Sequence, residues 1–210
     1  MKKTVFSFAL ATLVLGYATA ANAATSASQT ITGTLNPFVS VTTVEGATTA
    51  VSVNNDGTLS TNLTPGFKFT SNNKNGASAT FTVKVNTSDG NQADAIAGTG
   101  NSTDGKIVLA NAGTLPNAAS VLDALSDSPA AATNANAISY TVSFSVDNTT
   151  NGSVPVFDNT GNSVSGNVLK KNGTSQITMN IDKSVRTNTY SVDDVAGSYQ
   201  ATIYCTSATL

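Results

Sequence analysis

Few residues of this chain could carry out catalysis or bind a metal, and their types exclude the commonest mechanisms. The sequence contains no His, so it offers no Ser-His-Asp or Cys-His arrangement and no imidazole metal ligand. Asp193 and Asp194 form an adjacent acidic pair, but neighbours in an extended chain point to opposite faces, and we interpret them as solvated turn residues. A Ser-Lys or paired-carboxylate mechanism stays open on sequence alone, but the residues favour a protein that is not an enzyme.

Two acidic motifs and one cysteine complete the set of reactive groups. Asp104-Gly105 and Asp158-Asn-Thr-Gly161 look like fragments of calcium loops, but neither supplies the ligand series that ends in a bidentate Glu. We therefore predict turns there, and neither a metal nor another cofactor. Cys205 is the only cysteine, which excludes an internal disulfide. Its place in an alternating segment favours a buried, inert thiol, and pairing with another molecule is the alternative.

The composition predicts a folded, strand-rich protein. Hydrophobic residues make up 40% of the chain, enough for a core, whereas charged residues make up only 10%. Most of the polar side chains are therefore those of Ser, Thr and Asn, which suit strands and turns better than helix interiors. The net charge of −2 and the absence of a Lys or Arg run argue against nucleic acid as a partner.

Apolar and polar residues alternate with a period of two along most of the chain, which predicts strands with one packed and one wet face. In the last of these segments Tyr199, Ala201, Ile203 and Cys205 share a face. The clear strand candidates are residues 79–86, 138–146, 176–181 and 199–205, and the weaker ones are 50–53, 66–70, 106–109, 154–157 and 167–170. Short strands with turns between them predict an all-β fold, an antiparallel sandwich.

Other segments predict connections and one helix. Residues 117–127 are the one plausible helix, residues 88–103 read as a long exposed loop, and residues 127–136 read as an Ala-rich linker. Pairs of Asn or Asp with Gly predict turns with positive φ. These pairs are Asp56-Gly57, Asn75-Gly76, Asp89-Gly90, Asp104-Gly105, Asn151-Gly152, Gly161-Asn162 and Asn172-Gly173.

The first residues have the pattern of an export signal. Lys2 and Lys3 precede an apolar run at residues 5–16, and Ala21-Asn-Ala23 is a small-x-small cleavage site. We expect residues 1–23 to be a signal peptide that is removed on export. The apolar run is too short for a membrane-spanning helix.

A further alternating segment follows the cleavage site. Gln29, Ile31, Gly33 and Leu35 fall on one face, Ser and Thr fall on the other, and Asn36-Pro37 ends the segment. A Gly inside a strand marks close backbone approach or a bend. Two interpretations are open: the segment is the first strand of its own sandwich, or it is donated to a neighbouring subunit.

Two stretches carry a resemblance to a known family. They are Gln29-Thr-Ile-Thr-Gly-Thr-Leu-Asn-Pro-Phe-Val-Ser40 and Ala196-Gly-Ser-Tyr-Gln-Ala-Thr-Ile203. The first resembles the N-terminus of major pilins of the colonisation factor antigen I class, the alpha-type chaperone–usher fimbriae. The second resembles the entry into the last strand of many fimbrial subunits.

The resemblance implies a structural role outside the cell. It implies an immunoglobulin-like sandwich over residues 37–210 that lacks a strand and is completed by the donor strand, residues 24–36, of another subunit. The implied partners are identical or related pilin subunits, a periplasmic chaperone, an outer-membrane usher and a host surface receptor. The implied location is a fimbria on the bacterial surface, reached through the periplasm. A self-complete secreted sandwich that binds carbohydrate or another surface ligand is the alternative.

Overall fold

A computed structural model of the chain describes residues 34–47, 49–54, 56–126, 135–148, 151–186 and 194–210, with backbone alone at 184–186. Residues Asn36–Leu210 form the body of the molecule. In chain order its elements are β1 Val39–Thr43, β2 Gly66–Ser71, β3 Ala77–Asn86, β4 Gln92–Asp94, β5 Ile96–Gly98, β6 Asp104–Asn111, α1 Ala118–Leu125, β7 Ala137–Val146, β8 Val156–Phe157, β9 Val164–Leu169, β10 Gly173–Arg186, β11 Tyr199–Gln200 and β12 Thr202–Thr209.

The strands form two antiparallel sheets. The first sheet has the order β1-β2-β10-β7-β6-β11, with β5 also paired to β6. The second has the order β12-β3-β9-β8, with β4 also paired to β3. Their apolar faces bury one hydrophobic core. The prediction of an all-β fold with antiparallel sheets is therefore confirmed.

The best alternating segments of the sequence are the strands that line this core. Along β3 buried residues alternate with half-exposed ones over almost the whole strand, as a period of two requires. Phe81 of β3 lies at the centre of an aromatic cluster, with ring centroids 5.4 Å from Phe67, 6.2 Å from Phe69 and 5.9 Å from Phe144. The strands predicted around residues 66–70, 106–109, 138–146 and 176–181 are confirmed as parts of β2, β6, β7 and β10.

The predicted helix is confirmed as α1. Asn117 is its N-cap, and the Asn117 side chain accepts a hydrogen bond from the Ser120 backbone N–H at 2.8 Å. At the other end the Lys106 ammonium donates to the carbonyls of Leu125 and Ser126, where a cation complements the helix dipole. The helix packs on β4, β6 and β7 through Val121 and Ala124, which are fully buried.

The prediction of a long exposed loop at residues 88–103 is wrong. That segment contains β4 and β5 and carries the chain from the second sheet to the first. Ala95, between them, donates its N–H to the Val83 carbonyl and accepts from the Val108 N–H, and Ala95 and Ile96 are fully buried. Because the residues around them are mostly polar, the sequence pattern does not show that these two residues are buried.

Three other local predictions need correction. Residues 50–53 form no strand but one isolated bridge, Val53 to Leu59. Asp104-Gly105 opens β6 instead of forming a turn, because the Phe157 ring packs so closely on Gly105 that a Cβ would overlap it. Gly152 likewise lacks a positive φ and lies against the Val168 carbonyl. Gly57, Gly76, Gly90, Gly161 and Gly173 do have the predicted positive φ.

Phe81 should contribute strongly to stability. Phe81→Ala removes the central ring of the aromatic cluster and leaves a cavity, so we expect the free energy of unfolding to fall by about 3–5 kcal/mol. Urea denaturation of residues 24–210, followed by circular dichroism, measures this loss. The matched control is Tyr204→Ala on the exposed face of β12, for which we expect a change below about 0.5 kcal/mol. Equal losses in the two variants would contradict the assignment of Phe81 to the core.

Candidate functional site

The candidate site is the opening between two sheet edges, β12 and β1. Among the described strands, β12 pairs with β3 and with no other, and its ladder runs without a bulge from Thr202 opposite Lys84 to Thr209 opposite Ala77. The other edge of β12 faces β1, which lies close by but shares no ladder with it. Among the described residues, no second strand pairs with the backbone N–H and C=O groups along that edge of β12, and an edge of this kind can accept an added strand.

The inward face of β12 is packed from one side and uncovered from the other. Ile203 and Cys205 are half-buried, although their ladder partners Val83 and Phe81 on β3 are fully buried. Among the described strands β12 is the edge of its sheet and β3 is interior, so the inward residues of β12 have a neighbouring strand on one side. The inner face of β12 is therefore more accessible than the core residues beside it.

A cavity of about 480 Å³ continues this opening beyond the end of β1. One wall is formed by Val44, Val51 and Phe67, from the end of β1 to the start of β2. Tyr199 and Ile203 form part of the opposite wall, and its floor is contributed by Ile107, Leu109 and Ile181. The lining is mainly apolar, so this volume can hold large hydrophobic side chains.

A hydrogen-bond network sets the path of the chain into β12. The Asn111 side chain donates to the Val195 carbonyl at 2.7 Å, the Val195 N–H donates to the Asn136 side chain at 3.0 Å, and the Asn136 N–H donates to the Asp194 carboxylate at 2.7 Å. The Tyr199 hydroxyl also donates to the Val195 carbonyl, at 2.9 Å. The network holds residues 194–200 on β6 before the chain crosses to the second sheet.

The crossing corrects the predicted final strand. The segment 199–205 is not one strand: Tyr199 and Gln200 pair with β6 in the first sheet, and β12 begins in the second sheet at Thr202. Tyr199, Ala201, Ile203 and Cys205 are nevertheless all half-buried, alternating with exposed residues. The period of two therefore continues through the change of sheet.

At the opposite end of the body, Asn72 binds the backbone on both sides of Pro37. The Asn72 side chain donates to the Asn36 carbonyl at 3.1 Å and accepts from the Phe38 N–H at 2.7 Å. At the same end the Asn73 side chain donates to the Leu210 carbonyl at 2.6 Å. Pro37 is therefore held between two anchored residues, and Leu35 just before it is 80% exposed.

The remaining predicted donor residues, Gln29, Ile31 and Gly33, lie outside the described residues, as do residues 1–23 and 127–134. The sequence analysis did not bring Val44, Val51 and Phe67 together as one wall, although residues 50–53 and 66–70 were weaker strand candidates, because no pattern links these separate segments. The apolar Val51-Ser-Val53 pattern is the one signal that could have indicated it.

The acidic groups have structural roles. The Asp158 carboxylate accepts from the hydroxyls of Thr160 and Ser163 at 2.8 and 2.6 Å, and the Ser163 and Thr160 bonds lower its pKa to about 2. Asp194 holds the Asn136 backbone and is not a merely solvated turn residue as predicted, and Asp193 lies outside the described residues. Within the part of the chain that the structure describes, no group of three or more His, Cys, Asp or Glu could bind a metal.

Comparison with known proteins adds no family or relative. No protein-family model, no curated protein and no solved structure matches this chain. Among the described residues, no helix has the length and apolar character needed to cross a membrane.

The pKa of the Cys205 thiol indicates how far the inner face of β12 is shielded from water. Burial raises the pKa of the Cys205 thiol from 9.0 to about 11, so the reactive thiolate is scarce at neutral pH. Because the folded state holds this proton more tightly, the thiol's contribution to stability is complete below pH 9 and is lost as the pH rises towards 11. We expect iodoacetamide to alkylate the folded protein with a rate that reaches half its maximum near pH 11.

The control is the same reaction in urea, where the rate should reach half its maximum near the ordinary thiol pKa. Mass spectrometry at a series of pH values measures both rates. Superimposable pH profiles for folded and unfolded protein would show that the thiol is not shielded by the inner face of β12.

Proposed function

We propose that this protein is a structural subunit of a surface fimbria, polymerised by donor-strand exchange through the chaperone–usher route and serving cell adhesion. The body is then an incomplete immunoglobulin-like sandwich. The observation that carries the proposal is the opening beside β12, with its free edge, its half-buried inner face and the apolar cavity of about 480 Å³. The occupant is the segment 24–36 of another copy.

The chemistry of that segment fits the opening. Its alternation places Ile31 and Leu35 on one face and Thr on the other, as a strand needs when one side enters a core and the other meets water. Full burial of each large apolar side chain contributes about 1.5–3 kcal/mol, and backbone pairing with β12 satisfies the free N–H and C=O groups. Gly33 suits the narrower part of the opening, where β1 lies close to β12.

The position of Pro37 supports head-to-tail growth. In each body the residues on both sides of Pro37 are held at the Asn72 end, whereas the cavity lies towards the start of β12, at the other end. A donor whose own body lies beyond the cavity end must enter antiparallel to β12, with Leu35 nearest the cavity. A contact of this kind does not close on itself, so it builds a filament. The low charge and Ser, Thr and Asn surface suit a fibre outside the cell.

Before assembly the open edge of β12 needs a cover, because exposed apolar surface and free strand edges aggregate. A periplasmic chaperone that lends a strand and an outer-membrane usher that exchanges it are the partners of this proposal. The proposal includes no enzymatic activity, cofactor or nucleic acid, and its location is the bacterial surface.

A self-complete secreted β-sandwich that binds carbohydrate or another surface ligand is the second candidate. The closeness of β1 to β12 favours it, because the two edges already shield part of the opening from water. On this alternative the segment 24–36 is dispensable for folding, so one experiment separates the two functions.

The experiment compares the mature chain, residues 24–210, with a chain that lacks residues 25–35. On the fimbrial proposal we expect the intact chain to form filaments or head-to-tail oligomers, and the truncated chain to form none and to aggregate. Appending residues 24–36 after Leu210 through a flexible linker should restore a soluble monomer. Size-exclusion chromatography and electron microscopy distinguish these states.

Matched variants test the face of the donor segment. Ile31→Asn with Leu35→Asn places amides where the cavity requires apolar groups, and we expect it to abolish assembly. Thr30→Asn with Thr34→Asn makes the same change on the other face, and we expect assembly to persist. A truncated chain that is a stable, soluble monomer would rule out the donor-strand proposal and favour the second candidate.

A further inference from the structure

The end of the body that releases the donor segment carries an exposed aromatic side chain. Phe38 follows Pro37 directly, its backbone is fixed by Asn72 and Ser71, and its side chain is 49% exposed. Two hydrogen bonds thus hold its backbone while about half of the residue is exposed to water. This combination is typical of an anchor residue that a binding partner buries.

The opposite end of the body carries a small pocket next to the main cavity. Its volume is about 160 Å³, and its apolar lining comes from Val53, Ile138, Val195 and Tyr199. Val53 and Tyr199 also line the main cavity, so the two spaces adjoin. An apolar cavity of about 150 Å³ is large enough to hold benzene, so this pocket can admit an aromatic ring.

Three polar groups of this pocket already have partners. The Asp194 carboxylate accepts from Asn136, the Gly57 carbonyl accepts from the Tyr140 hydroxyl at 2.6 Å, and the Asn54 side chain donates to Thr58 at 2.9 Å. An apolar side chain that enters the pocket therefore leaves these bonds in place. In contrast, the Val195 side chain is 45% exposed and gains by being covered.

Strand register places the pocket far from Phe38 of the same copy. Val39 lies opposite Ser71 at one end of the first sheet, and Phe67 and Val146 lie level with each other through Ile177. Ile138 lies near the start of β7 and Val146 at its end, so Ile138 is roughly 25 Å further from Phe38 at about 3.3 Å per residue. Phe38 therefore cannot fill the pocket of its own body.

Resting on the proposed donor-strand function, we propose that Phe38 of one copy enters the pocket of Val53, Ile138, Val195 and Tyr199 in the next copy. Leu35 of the donor reaches the main cavity, and Phe38 lies about 10 Å further along an extended chain. The main cavity and the small pocket adjoin at Val53 and Tyr199, so the two spaces can receive two side chains with that separation. Phe38 then adds a contact between bodies to the strand pairing and sets how one subunit is oriented on the next.

Peptide binding tests this contact. The acceptor is the mature chain with Ile31→Asp and Leu35→Asp, so that its own segment cannot act as a donor. It is refolded from urea together with each peptide, because an uncovered acceptor is expected to aggregate. The probes are fluorescein-labelled peptides of residues 25–40: the natural sequence, Phe38→Ala, and Ser40→Ala as the matched control. Fluorescence anisotropy gives each Kd. We expect Phe38→Ala to weaken binding about tenfold or more, and Ser40→Ala to change it less than about twofold.

A second acceptor variant ties the effect to the pocket. Val195→Asp should weaken the natural peptide by a factor similar to Phe38→Ala, while leaving the Phe38→Ala peptide unchanged, because the two changes remove the same contact. Leu122→Asp, at an exposed position of α1, is the matched control and should change neither Kd. Circular dichroism verifies that each acceptor is folded.

The outcomes separate this inference from the function on which it rests. If the natural and Phe38→Ala peptides bind equally, or if Val195→Asp weakens both by the same factor, the Phe38 contact is wrong and the donor-strand function stands. If no peptide binds the folded acceptor, the donor-strand function fails and the Phe38 contact fails with it.

Discussion

The structure depends on one constraint: an apolar core needs cover on every side, and the inner face of β12 has it on one side alone. Phe81 and Val83 of β3 are fully buried, while Cys205 and Ile203, their ladder partners on β12, are half-buried. Among the described strands β12 is an edge strand and β3 an interior one, so the inner face of β12 has a neighbouring strand on one side. This more accessible apolar face lies where β1 and β12 approach each other without a described ladder, so it coincides with a strand edge.

The polar network around Val195 creates this geometry. Asn111 and Asn136 hold the chain on β6, so it can join the second sheet no earlier than Thr202. A continuous strand from Tyr199 would have remained in the first sheet and covered its edge. The change of sheet opens the cavity bounded by Tyr199 and Ile203. A few partly buried hydrogen bonds thus fix where the chain changes sheet and which apolar surface stays accessible.

The sequence predicts those parts of this arrangement that depend on periodicity. The alternation in β3 and β7 identifies both strands and their buried faces, because neighbouring side chains of a strand point to opposite sides. The same periodicity runs unbroken through Ala201, which is why the change of sheet there could not be read from it. Ala95 and Ile96 were missed because β4 and β5 are too short for a pattern to develop.

Close packing is the other property that a single sequence hides. Asp104-Gly105 has the composition of a turn, yet Gly105 is needed because the Phe157 ring lies against its backbone. That contact joins residues far apart in the chain, so no local rule can find it. The cavity is hidden for the same reason: Val44, Leu109 and Tyr199 meet in it from three separate parts of the sequence. The resemblance of the N-terminal segment pointed to a groove but not to its walls.

The edges of the sheets themselves argue for strand addition at β12. Natural sheets protect their edges by shortness, bulges, charges or proline. The edge strands β8 and β11 are two residues long, and β4 and β5 are three. By contrast, β12 is eight residues long, has a continuous ladder and carries no charged residue or proline. Among the described edge strands β12 is the longest, and like β1, whose five residues also carry no charge or proline, it keeps a regular edge that is open to strand addition.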